Sequence, residues 1–161
     1  YEIVIADTSC FILLDKIGEL ELLKSLFGRV TTTNIIATEF GSPLPEWINI
    51  RTVKNIYVQN ALDIDAGEAS AIALALESGP SLLILDDGKG RKVAQKLNLN
   101  TTGSLGIFLR AKREGIIPLV KPFDRESSAN KFQVFASRTG RNSFACRRIN
   151  SSKSPFRGLS I

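Results

Sequence analysis

The chain has 161 residues, 43% of them apolar, which is enough for one domain with a real core. It carries 21 Lys+Arg against 16 Asp+Glu and no histidine, which excludes a histidine acid–base pair and a Ser-His-Asp triad. No run approaches the ~18 apolar residues of a membrane span, and no signal peptide is visible; Cys10 and Cys146 lie too far apart for a disulfide framework, which fits a reducing cytoplasm.

Residues 2–6, EIVIA, form a short apolar run that reads as a buried strand, with Asp7 directly behind it. Residues 9–15 and 18–27 read as helices broken near Gly18. TTNIIATEF reads as a short helix that carries Glu39, with Gly41 just past its end as a stop. After Pro43 and Pro45, WINIRTV alternates like a strand. Residues 66–78 make a clear helix closed by Gly79-Pro80. SLLIL is the next strand, and Asp86 and Asp87 follow it. DGKGRKVAQKLN and SLGIFLRAKREG are the last two helices, with Thr101 to Ser104 opening the second.

Strands alternating with helices imply an α/β fold, a three-layer sandwich with a central, mainly parallel sheet. Ligand sites in such sheets lie at the carboxyl ends of the strands. Asp7 and Asp86 therefore share one edge if their strands are parallel neighbours.

The net charge of +5 is unevenly spread. Residues 1–122 hold 13 Lys+Arg and 14 Asp+Glu, while residues 123–161 hold 8 and 2. The organised pattern also stops near Pro122, where serine, asparagine and arginine take over. The expected division is a domain over 1–122 and a basic tail over 123–161. A phosphate-gripping arm, an irregular terminus and an altered reading frame all remain open for that tail. Tyr1 opens a chain without methionine, so a trimmed N-terminus is expected.

Four acids stand at selected places. Asp7 and Asp86 follow buried strands. Glu68 falls near the middle of the helical face made by Ala71, Ile72, Ala75 and Leu76. Glu39 sits in the last turn of its helix, where the dipole disfavours a negative charge. Glu77 falls on the opposite side, as solvated surface. An inward carboxylate needs a partner, because burying a lone charge is costly. Without histidine, a divalent ion of the Mg²⁺ type suits carboxylate oxygens. Plainer roles stay open for each: an N-cap at Asp7 or at one of Asp86 and Asp87, a capping box of Asp65 with Glu68, and an exposed helix end at Glu39.

Taken together these segments resemble PIN-domain nucleases. IADTSCFILL looks like their opening strand and turn, TTNIIATEF like their second motif with its single glutamate, and GEASAIALALESGPSLLILDD like their third block. The similarity runs over roughly residues 2–121 and is nearest to a VapC-like branch of small prokaryotic proteins. It implies a metal-dependent endoribonuclease. By position Asp7, Glu39, Glu68 and Asp86 match the acidic site, with Asp87 adjacent, and they imply one or two Mg²⁺ or Mn²⁺ ions. The resemblance also implies RNA as substrate and a toxin's role beside an antitoxin protein; a homodimer stays open as a further partner, and no membrane is expected because no apolar run is long enough to span one. The sequence departs from the pattern at Thr102-Gly103-Ser104, where another acid or an asparagine often lies, and again after Pro122.

The chemistry agrees with the residues. Phosphodiester hydrolysis needs an activated water and neutralised phosphate charge, and carboxylate-held ions supply both. Lys89, Arg91 and Lys92 could meet phosphates, as could amides near Thr102 and Ser104, although a solvated helix face and plain capping serve equally well. GKG at 88–90 lacks the spacing of a phosphate loop. Cys10, with no histidine to activate it, reads as a packed small residue. Two other functions remain: a non-catalytic nucleic-acid-binding or regulatory module with a degenerate metal site, and a Mg²⁺-dependent phosphohydrolase of small phosphates.

Overall fold

The computed structural model describes residues 3–117, together with the backbone of two short strands further on. In chain order the elements are β1 (Ile3–Ala6), α1 (Thr8–Lys16), α2 (Glu21–Phe27), β2 (Val30–Thr33), α3 (Asn34–Phe40), β3 (Ile48–Arg51), α4 (Ile56–Ala61), α5 (Ala66–Ser78), β4 (Ser81–Ile84), α6 (Gly88–Lys96), β5 (Asn100–Thr102) and α7 (Ser104–Arg113). An antiparallel pair, β6 (Ser137–Thr139) and β7 (Ser143–Ala145), follows. The rest of the basic segment after residue 122, and the boundary expected there, lie outside the described residues.

Five strands form one sheet in the order β3-β2-β1-β4-β5, and every pair is parallel. From β1 the chain moves outward through β2 and β3, then returns to the other side of β1 for β4 and β5. Right-handed crossovers in opposite directions put their helices on opposite faces. Both faces are accordingly covered: every residue of β2 and β4 is buried. The point of reversal lies between β1 and β4, where such sheets open a crevice at the carboxyl ends of the strands.

The two strands meet there in register. Ala6 pairs with Ile84, and the Asp7 N–H still donates to the Ile84 carbonyl at 3.2 Å. Leu85 donates to the Thr102 carbonyl at 2.8 Å, so it extends the ladder by one residue. Asp7 and Asp86 therefore leave the same edge of adjacent strands.

Four local expectations change. The first residues of TTNIIATEF belong to β2, a strand the apolar pattern hides because its sequence is VTTT. Two of its three buried hydroxyls are bonded: Thr32 Oγ1 donates to the Ala6 carbonyl at 3.0 Å, and Thr33 Oγ1 lies 2.7 Å from Ser70 Oγ. Asn100–Thr102 is a strand, not the start of the last helix, which begins at Ser104 behind Gly103. The helix α4 was not expected, and it packs on α5. As a result α5 is buried nearly all round, Ala69 to Ala75 included, while Leu76 turns outward at 42% exposure.

Glu77 is also more than solvated surface. Its exposed carboxylate accepts from the Lys54 N–H at 2.9 Å and the Asn55 N–H at 2.6 Å, which fastens the turn between β3 and α4 to α5. Replacing it with alanine removes two charge-assisted hydrogen bonds, an expected loss of about 1 kcal/mol and about 2–5 °C in melting temperature. Calorimetry of Glu77→Ala checks this, and an unchanged melting temperature would make the clamp idle.

Candidate active site

Each acid is held by the element that ends or begins beside it. Asp7 is the N-cap of α1, and its Oδ1 accepts the Cys10 N–H at 2.9 Å. Asp87 caps α6 through the Lys89 and Gly90 N–H groups, so the capping role falls to the second member of the doublet. Asp86 is left over from that task and turns toward the start of α7. There it accepts the Ser104 N–H at 2.7 Å and the Ser104 hydroxyl. Asp65 caps α5 by accepting from the Gly67 N–H at 3.1 Å, whereas Glu68 takes up no hydrogen bond among the described residues, so only half of a capping box forms. Glu39 is exposed in the last turn of α3, and the Thr8 hydroxyl donates to its Oε2.

An open cleft of about 530 Å³ joins these positions at the point where the sheet reverses. Asp7, Glu39, Glu68 and Asp87 line it, together with Thr8, Ser9, Asp63, Ile64, Asp65 and Lys89. Asp86 stands beside the cleft and is not part of its wall. Among the described residues no three carboxylates are gathered as a ready-made metal site. Of the suggested substrate contacts, Lys89 reaches the cleft and pairs with Asp63 at 3.3 Å. Arg91 lies by Gly103, Lys92 is exposed on α6, and Thr102 points its hydroxyl at the Gly103 carbonyl. Asp63 was not singled out from the sequence; the signal was its alternation with Asp65 ahead of α5.

The profile of the PIN-domain family matches residues 3–134. The chain belongs to the PIN-domain family. PIN domains are generally nucleases and typically use divalent ions, and the parallel sheet seen here is their fold. The match runs past Pro122. A comparison with curated proteins gives no match.

The electrostatics of this PIN domain centre on Asp7, which is 2% exposed. Burial pushes its carboxyl up to about 7; the Cys10 N–H pulls the other way, and the neighbouring Asp86 and Glu68 add to the rise. Burial also raises Glu68, and the charges of Asp87, Asp65 and Glu39 reinforce it against Lys89. Asp87 is lowered by the Gly90 and Lys89 N–H groups that it caps. Burial drives the Cys10 thiol far upward, so it is inert at neutral pH and packs as a small residue.

Asp7 gives a pH dependence of definite sign. In the unfolded chain it loses its proton near 3.8; in the fold it keeps it to about 7. The stability from the protonated fold is complete below the lower value and is lost as pH rises through the upper one, a change on the order of 4 kcal/mol at most. Chelated protein should therefore melt higher at pH 5 than at pH 8. Asp7→Asn should flatten that difference and melt above the parent at pH 8. A parent whose melting temperature rises from pH 5 to pH 8 contradicts the assignment.

Proposed function

We propose that this PIN domain is a metal-dependent endoribonuclease that hydrolyses RNA phosphodiester bonds in a cytoplasmic setting. The VapC-like motifs support a toxin's role, with an antitoxin protein as partner. The observation that carries the reading is the charge of the cleft, which presents six carboxylates and one lysine at the reversal point of the sheet. An RNA phosphate is repelled from such a cleft unless cations offset it.

The donor set suits a hard ion, since it consists of carboxylate oxygens without sulfur or imidazole. Asp7, Glu39, Glu68 and Asp86 are the residues that would hold Mg²⁺ or Mn²⁺, with Asp87 beside them. A bound ion neutralises the phosphate and makes water a better nucleophile. The chain's own part is orientation. The Cys10 N–H fixes the Asp7 carboxyl, Ser104 fixes Asp86 with two donors, and Thr8 steadies Glu39. Lys89 is at the rim to meet a substrate phosphate. Its pair with Asp63 is exposed and therefore weak, so it exchanges partners readily.

The test is cleavage of RNA by purified protein in Mg²⁺, Mn²⁺ or chelator. Cleavage should need the ion. Asp7→Asn and Asp86→Asn should each lower the rate about a hundredfold or more while circular dichroism stays that of the parent. Cleavage in chelator, or a fully active Asp7→Asn variant, removes the mechanism. A generic phosphate ester assayed in parallel separates a nuclease from a small-phosphate hydrolase.

Binding also shows in stability, because the ion binds only the fold. With a dissociation constant of about 1 mM, ~10 mM Mg²⁺ adds roughly 1.4 kcal/mol, or about 3 °C. The comparison must be matched in ionic strength with NaCl. The shift should disappear in the Asp7→Asn, Asp86→Asn double variant. Equal shifts in parent and double variant would leave Asp7 as a helix cap and Asp86 as a partner of Ser104, with no part in binding the ion.

A further inference from the structure

Three glycines stand where three of these carboxylates need room. A Cβ on Gly67 would lie 2.5 Å from Glu39 Oε2, one on Gly90 would lie 2.8 Å from Glu68 Oε2, and one on Gly103 would lie 3.0 Å from Asp86 Oδ1. Ordinary contact between such atoms is roughly 3.5 Å, so each methyl group would displace its carboxylate. None of the three has a positive φ, so the backbone itself does not call for glycine there. Gly67 and Gly90 lie in the first turns of α5 and α6, where alanine is the better helix former.

We propose that Gly67 and Gly90 are positioning residues of the cation site, each leaving a notch in a helix that seats one carboxylate. Glu39 reaches from α3 into the notch on α5, and Glu68 reaches from α5 into the notch on α6. The inference rests on the cation-site reading above and adds what sets the places of two of its ligands. It accounts for the glycine of GEA at 67–69, and it divides the two glycines of GKG at 88–90. Gly90 seats Glu68, whereas a Cβ on Gly88 meets nothing within 4 Å.

A second feature fixes the first notch against the helix that fills it. Ser70 Oγ donates its one proton to the Gly67 carbonyl at 2.7 Å. Thr33 Oγ1 must then be the donor in its 2.7 Å contact with Ser70, while it accepts the Ile36 N–H at 3.2 Å. The relay runs from the first turn of α3 to the first turn of α5 and ends on the residue against which Glu39 rests. Both carboxylates are flexible side chains touched at their far ends, so an added methyl group moves the acid and spares the fold.

The proposal predicts effects of opposite sign, which a purely structural role would not give. In the full chain, Gly67→Ala and Gly90→Ala should each melt no lower than the parent, and up to about 3 °C higher. Each should bind Mn²⁺ about tenfold more weakly by isothermal titration in NaCl-matched buffer. Gly88→Ala should keep the parent's Mn²⁺ affinity. In a Glu39→Gln background, Gly67→Ala should cost no further affinity, because its effect passes through Glu39. In metal-free protein, Gly67→Ala should shift the ¹³C carboxyl resonance of Glu39. Alanine variants that bind Mn²⁺ like the parent overturn the notches and leave the cation site standing. So do variants that melt lower, or losses that add in the Glu39→Gln background. A parent that binds no Mn²⁺ removes the cation-site reading, and the positioning role with it.

Discussion

Asp7 ends the central strand with a carboxyl group that is 2% exposed, and much of the surrounding structure follows from what that group requires. A buried carboxylate without a partner is unfavourable enough that the group takes up a proton instead, which is why it titrates near 7. The cap bond from the Cys10 N–H offsets part of the penalty and fixes the side chain. Cys10, whose backbone N–H makes that bond, is itself fully buried. The parallel register of β1 and β4 then brings Asp86 to the same edge, where its charge raises Asp7 further. The sheet order thus concentrates negative charge at the one place where a doubly wound sheet has an opening.

Four other carboxylates of the cleft wall are kept apart by distributing donors among them. Asp87 and Asp65 take helix N-termini, Glu39 takes a hydroxyl and Asp63 takes a lysine. Glu68 has none of these and is raised instead. These assignments separate the doublet after β4 on physical grounds. One aspartate suffices for a cap, so Asp87 is committed to α6 and Asp86 is released toward Ser104. A further acid in place of Ser104 would have set two like charges against each other. Serine supplies an N–H and a hydroxyl to the same carboxylate.

Much of the sheet was legible in the sequence because its strands are apolar runs ended by charge. EIVIA and SLLIL lead into Asp7 and Asp86, and the helix over 66–78 has the bounds its pattern implies. β2 was hidden because a buried strand of VTTT looks polar until its hydroxyls have named partners. β5 was hidden by its length of three residues, too short for any period. Leu76 faces solvent because α4 covers another side of α5, and a tertiary contact of that kind leaves no trace in a helical wheel. At the cleft, residue types and spacing singled out Asp7, Glu39, Glu68 and Asp87, which line it, and Asp86, which stands beside it. The direction in which each carboxylate turns depended on donors many residues away, such as Thr8 for Glu39 and Ser104 for Asp86, which a local reading does not reach.

The placement of polar atoms inside the core follows the same logic. Thr32 is bonded to the carbonyl just before Asp7, Thr33 caps the helix that carries Glu39, Ser70 bonds the turn that carries Glu68, and Ser104 holds Asp86. These four buried hydroxyls therefore bond the strand ends and helix turns that carry the acids, or an acid itself. Hydroxyls cost packing energy that Val or Ala would not, and they return direction, since each has one proton and a fixed partner. The contrast lies at the other end of the sheet. Ser81 opens β4 at the amino edge, and among the described residues its Oγ is the one buried side-chain polar atom without a partner. An unpaired hydroxyl is tolerated where nothing has to be aimed. Toward the carboxyl edge, where a misplaced carboxylate would face another of its kind, the buried hydroxyls of Thr32, Thr33, Ser70 and Ser104 are each paired.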